Sequence, residues 1–184
     1  DPSTAVDTLS ILELWKGDVA VYQGGCVYVT RISPWVKGYG KRNPGTVHVV
    51  RNFDTIASLG PTRLLAVGQP DDVIRLVTML REEFRSRLYI TRSLPQFCEI
   101  LHPKSYKQAA LEWLAKYLRI KRVEVVAFGN SQEDISMLSW AGLGVAVSGA
   151  TSEVIDSAEV VAPSLENDGV AHVLNDLLDR GLIG

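Results

Sequence analysis

The sequence has few of the groups on which several large protein classes depend. Two cysteines occur in 184 residues, Cys26 and Cys98, far apart and each among apolar, strand-like neighbours. Such a pair builds neither a disulfide framework nor a thiolate metal site, so both read as buried thiols in a reducing compartment. The three histidines, His48, His102 and His172, match no metal spacing and read as structural or surface residues. No apolar run approaches a membrane span and no signal-peptide pattern is visible, so no membrane partner is expected and the expected location is cytoplasmic. Lys and Arg number 19 against 21 Asp and Glu, a formal net charge of −2, without a basic stripe. Nucleic acid is therefore not an expected partner. The short basic stretch at 37–42, KGYGKR, reads as a solvated loop, with phosphate steering as the sharper alternative.

What the chain does contain is ordinary for a globular protein: 46% hydrophobic and 22% charged residues, enough length for one ample domain or two small ones. Its most informative stretch is 123–138, VEVVAFGNSQEDISML. The apolar run at 123–128 is short, β-branched and followed at once by glycine, which predicts a strand buried in a parallel sheet. Gly129, Asn130 and Ser131 turn the chain, and Ser131 is an N-cap candidate for the following helix. Glu133 and Asp134 fall in that helix's first turn, where negative charge suits the macrodipole. A polar, acidic loop at the carboxyl end of such a strand is where open α/β sheets bind ligands. The competing reading is a capped helix whose carboxylates serve only the dipole.

Taken in order, residues 4–14 predict a helix after the capping candidates Ser3 and Thr4, and 18–22 (DVAVY) and 26–30 predict strands broken by Gln23-Gly24-Gly25. Residues 33–45, rich in Gly, Pro, Lys and Arg, read as a loop or hairpin excursion. Strands follow at 47–50 and 62–67, then an amphipathic helix at 70–84 and strands at 88–91 and 97–101. From Ser105 helix and strand alternate without interruption: helix 105–118, strand 123–128, helix 131–140, strand 143–147, helix 151–157, strand 159–161 and a last helix at about 166–178. Alternation of this kind predicts a parallel sheet covered by helices. Lys107 falls in the first turn of the helix at 105–118, where a cation opposes the macrodipole, so a nearby anion is expected to hold it. Trp113 lies on that helix's apolar stripe with Leu114, Tyr117 and Leu118, and is expected to pack.

The succession Lys107-Gln108-Ala109-Ala110-Leu111, AFGNSQEDISML, AGLGVAV, Ala158-Glu159 and Glu166-Asn167-Asp168-Gly169-Val170 resembles the haloacid-dehalogenase (HAD) superfamily, and within it the Cof-like phosphatases. The resemblance is strong over 96–178 and fair at 18–30, where Val21-Tyr22-Gln23-Gly24 stands at the family's Asn-Gly turn. It implies an α/β fold: a partial HAD-like (Rossmann-like) parallel-sheet core, residues 1–24 and 103–184, with an inserted α+β cap domain at 25–102.

The resemblance also implies a chemistry. In the family an aspartate attacks a phosphoryl group to form an aspartyl-phosphate that water hydrolyses, a lysine neutralises charge, and acidic residues of the key loop hold Mg²⁺. Here Lys107 takes the lysine's place, with Lys104 as the nearest substitute, and Gln23, Gly24 and Lys107 are the expected substrate-binding residues. The expected metal site is weakened: the family's first key-loop aspartate is Asn130, its asparagine is Glu133, and only the last aspartate, Asp134, is kept. An amide in place of a carboxylate removes a full charge from a hard-cation site. The family's next loop asparagine is Gly149, before Ala150. The segments that carry the nucleophile and the phosphate-holding Thr or Ser precede the Asn-Gly turn in the family, and the 22 residues before Gln23 match neither.

Two functions remain open at this stage. One is a piece or degenerate member of a phosphohydrolase for a small phosphorylated metabolite, the chain alone being inactive. The other is a non-catalytic binding or regulatory module on the same fold. An unrelated dinucleotide-binding domain is disfavoured, because Gly142-Leu143-Gly144 lacks the third glycine and precedes a strand. A core without its nucleophile strand exposes a sheet edge, so self-association through that edge is expected.

Overall fold

A computed structural model describes residues 1–183, which divide into two compact units, residues 1–103 and 104–183. The first contains α1 (Pro2–Leu12), β1 (Asp18–Gln23), β2 (Cys26–Val29), α2 (Pro34–Arg42), β3 (Val47–Val49), α3 (Asp54–Ser58), β4 (Arg63–Val67), α4 (Pro70–Phe84), β5 (Tyr89–Thr91) and β6 (Phe97–Leu101). Its six strands form one sheet in the order β3-β2-β1-β4-β6-β5. Every pair is antiparallel except β2 with β3. Side-chain alternation along β1 and β4 serves two cores, as the period of two requires. Val21, Leu64 and Ala66 face a cluster with Leu12, Val73, Leu76, Leu80 and Phe84, whereas Ala20, Leu65 and Val67 face Val27, Val29 and Val36.

This sheet changes the expected domain boundary. Residues 18–23 form one of its central strands, paired with β2 on one side and β4 on the other, so residues 1–24 fold with 25–102 and not with 103–184. The physical reason is local. Gly24 and Gly25 have φ of +59° and +78°, and Gln23 pairs directly with Cys26. Two positive-φ residues between antiparallel strands make a tight hairpin turn, not a crossing between domains.

The expected loop at 33–45 is also corrected, because 34–42 is a helix. The Ser33 hydroxyl accepts the Val36 N–H at 3.1 Å and Pro34 opens the first turn, a start signal that two interior glycines obscured in the sequence. Asp1, not Ser3 or Thr4, caps α1. Cys98 is buried as expected, and burial pushes its thiol up to about 12, while Cys26 is only half-buried.

The second unit contains α5 (Lys107–Leu118), β7 (Val126–Gly129), α6 (Ile135–Trp140), β8 (Leu143–Ala146), α7 (Ser152–Asp156), β9 (Val160–Val161) and α8 (Gly169–Asp179). The strands pair in parallel in the order β7-β8-β9. One face buries Ala127, Leu138, Ala141, Ala146 and Val154, the other Val145, Ala162, Val173 and Leu177, so the short sheet is covered on both sides. Gly144 and Gly169 meet backbone too closely for any Cβ: one placed on Gly144 would stand 2.5 Å from the Leu138 carbonyl oxygen, and on Gly169 2.0 Å from that of Pro163. Among the described residues no helix is long and apolar enough to cross a membrane.

Candidate functional site

The site is assembled at the carboxyl end of β7, where the polypeptide leaves the parallel sheet through Gly129, Asn130 and Ser131. A 3-10 turn at Gln132–Asp134 follows and leads into α6. Asp134 is swung back under this loop. Its Oδ2 accepts the backbone N–H groups of Asn130 at 3.0 Å and Ser131 at 2.9 Å, and the Ser131 hydroxyl at 2.8 Å. Gly129 makes that position accessible: a Cβ there would lie 2.5 Å from the Asp134 Cβ and 2.8 Å from its Cγ. The glycine is required by close approach of a side chain, not by an unusual φ.

Asp134 meets Lys107 across the unit. The lysine Nζ, in the first turn of α5, donates to Asp134 Oδ1 at 2.5 Å. The carboxylate is 6% exposed and the lysine side chain 50% exposed, so the ammonium reaches solvent while its partner does not. This is the anion that the unfavourable helix position of Lys107 requires. Burial alone would raise the Asp134 pKa. The Lys107 ammonium and the Ser131 and Asn130 donors outweigh it and hold the carboxyl at about 2, so it is ionised at neutral pH.

Among the sequence-derived candidates, the structure therefore brings Lys107, Asn130 and Asp134 together. Asn130 is exposed on the loop and contributes its backbone N–H, and Glu133 lies half-buried in the 3-10 turn. Gln23 and Gly24 belong to the other unit, where Gln23 Nε2 donates to the Leu59 carbonyl at 3.4 Å and Gly24 occupies the hairpin turn. Ser131 does more than the sequence reading gave it, since it fixes the carboxylate through both its N–H and its hydroxyl. The spacing Ser131-x-x-Asp134, a capping box in the structure, was the available signal. Gly149, with φ +83°, sits in the loop after β8 next to Ala150.

A half-exposed ammonium fixed by a buried carboxylate at the carboxyl edge of a parallel sheet stands where open α/β sheets bind ligands. The chain belongs to the haloacid dehalogenase-like hydrolases, whose family model matches residues 1–174. A Haemophilus influenzae relative is 33% identical over 127 residues, 69% of this chain and 48% of its own length. The HMP-PP phosphatase of Serratia proteamaculans is 27% identical over 126 residues, 67% of this chain and 46% of its own length. The fold matches a Thermotoga maritima crystal structure with a TM-score of 0.81 at 25% identity, over 96% of this chain and 66% of that one. A haloacid dehalogenase-like hydrolase of Bacteroides thetaiotaomicron gives 0.82 at 23% identity, over 96% and 67%. The chain thus spans about half the length of these curated relatives.

The family implies Mg²⁺, and the donor set of this loop does not fit it. A hard cation takes carboxylate oxygens as its charged ligands. Both oxygens of Asp134 are already committed, one to an ammonium and the other to three N–H and O–H donors. Asn130 supplies an amide where the family has a carboxylate. Among the described residues no group of three His, Cys, Asp or Glu side chains is placed to hold a metal ion.

Proposed function

We propose that this chain forms the phosphate-recognising part of a phosphohydrolase for a small phosphorylated metabolite, acting in the cytoplasm. Lys107 carries the reading: its ammonium is the charge that receives the phosphoryl oxygens, and Asp134 is a positioning residue that fixes it there. The loop N–H groups keep Asp134 ionised, so the ion pair is preorganised before substrate arrives. Turnover needs an attacking carboxylate. Asp134 is bonded at both oxygens and is not suited to attack. The 184-residue chain is accordingly a binder and not a catalyst by itself.

A second reading, a regulatory module that binds phosphate esters without cleaving them, is favoured by one observation, the committed oxygens of Asp134 beside Asn130. Calorimetric titration with inorganic phosphate and phenyl phosphate tests both. Lys107→Ala is expected to weaken binding about tenfold, the effect of losing one charge-assisted hydrogen bond of about 1.5 kcal/mol, whereas Lys104→Ala leaves it nearly unchanged. Equal affinity in the Lys107→Ala variant would remove the basis of either reading. Mg²⁺-dependent hydrolysis of 4-nitrophenyl phosphate by the 184-residue chain would overturn both.

A further inference from the structure

We infer that the first unit holds a binding site of its own, a cavity at the carboxyl ends of β2 and β3 that receives a monocarboxylate with a flat apolar body at Arg31 and Arg51. The cavity has a volume of about 620 Å³ and is lined only by residues of that unit. This size falls among small-molecule sites, roughly 300–1,000 Å³. It borders Asp18, where β1 begins, whereas the Gln23-Gly24 turn follows the other end of that strand. It is therefore distinct from those two residues, and it contains neither Lys107 nor Asp134.

Strand pairing arranges the charge. Val29 of β2 pairs with Ala20 of β1 on one side and with Val49 of β3 on the other. Two residues further on, Arg31 meets Asp18, and Arg51 follows the parallel neighbour; both arginines line the cavity. Arg31 is held in place. Its Nε donates to Asp18 Oδ1 at 3.2 Å, and its Nη2 donates to the Lys16 and Gly17 carbonyls at 3.2 and 2.7 Å. Those bonds leave the two N–H groups of Nη1 for a ligand. Arg51 is exposed and makes no hydrogen bond or ion pair with another described residue. Asp18 is already committed to Arg31 and to the Ser33 hydroxyl, which donates to it at 2.7 Å, so it leaves Arg51 without a counter-charge. A carboxylate matches a guanidinium fork through two parallel bonds.

The rest of the lining suits a flat apolar body. Leu9, Leu12 and Phe53 supply apolar surface, and Trp15 borders the cavity as a fixed aromatic wall. Its indole N–H donates to the Val67 carbonyl at 3.1 Å. The ring lies so close to the backbone that a Cβ on Gly68 would stand 2.4 Å from its Cζ2, and one on Gly17 2.5 Å from its Nε1. Two glycines thus seat the ring, and a ligand finds that wall ordered before it binds. Glu13 and Asp54, both exposed, border the cavity from α1 and α3. They offset part of the arginine charge, so a singly charged carboxylate fits better than a phosphate dianion.

Calorimetric titration of the 184-residue chain with 2-naphthoate tests this. One molecule per chain is expected, with a dissociation constant below about 1 mM. Arg51→Ala is expected to weaken binding at least about tenfold, the effect of losing a charge-assisted pair, while circular dichroism stays at the parent's. 2-Naphthalenemethanol, the same flat body without the charge, is expected to bind the parent chain at least about tenfold more weakly than 2-naphthoate. Lys107→Ala and excess inorganic phosphate are both expected to leave the 2-naphthoate affinity unchanged. Absence of binding, equal affinity in Arg51→Ala, or equal affinity for the alcohol overturns the inference. Loss of binding with Lys107→Ala, or displacement by phosphate, overturns it as well, because the carboxylate would then sit at Lys107. Phosphate binding at Lys107 is read separately, so its failure and the failure of this site are distinguishable.

Discussion

At the scale of single residues, the Lys107–Asp134 pair makes the candidate site a contributor to stability. The folded Asp134 pKa, about 2, lies below the ordinary 3.8. The stabilisation it confers is fully present above about pH 4 and is lost as pH falls toward 2. Asp134→Asn keeps the size of the side chain but removes the charge on which three neutral donors and an ammonium converge. Its expected cost is about 2 kcal/mol at pH 7, from weakened charge-assisted bonds. Lys107 limits the damage, because its half-exposed head can be solvated when its partner is neutral. Urea titrations at pH 7, 4 and 2.5 check this: the gap between parent and variant is constant over the first interval and closes over the second. A gap that widens on acidification would mean that Asp134 is protonated at neutral pH in the folded chain.

Secondary-structure elements show which physical signals the sequence carried and which it hid. Helix 70–84 and strand 97–101 were legible because hydrophobic period, length and boundary residues agreed. The alternation from Ser105 onward pointed to the parallel sheet, and with it the end of the sheet where the loop after β7 lies. Helix 34–42 was hidden because Gly38 and Gly40 lower local propensity, while the contacts that offset them are tertiary. Val36 is buried on the sheet, and Tyr39 packs edge-on to Tyr22 at 6.2 Å. The Gly24-Gly25 turn misled in another way: a pair of glycines is compatible with either a hairpin or a linker, and only strand pairing decides. Ser33 ties this helix to the sheet, since its hydroxyl accepts from Val36 and donates to Asp18 Oδ2 at 2.7 Å. Ser33→Ala is expected to cost about 1 kcal/mol, the usual value of an N-cap. Urea denaturation measures it, and a loss below about 0.3 kcal/mol would show that Pro34 and tertiary packing alone set the start of the helix.

For the molecule as a whole, the decisive feature is that burial is partitioned. The clusters around Val21, Leu80 and Phe84 and around Val27, Val29 and Leu65 draw only on residues before Lys104, and those around Leu138 and Val145 only on residues after it. Sequence composition did not reveal this, because the two parts are both rich in apolar residues. The partition is set by β1 pairing with β4, a contact between segments about forty residues apart. Two cores without shared residues predict two separable responses to cavity formation. Leu80→Ala and Leu138→Ala each remove a fully buried side chain, and each is expected to cost about 3 kcal/mol. Native-state hydrogen exchange would read where that loss falls. Leu80→Ala should accelerate exchange of amides in 18–101 and leave those of β7 and β8 at their parent rates, with the reverse pattern for Leu138→Ala. Acceleration that spreads evenly over both units from either substitution would mean that the chain unfolds as one cooperative body.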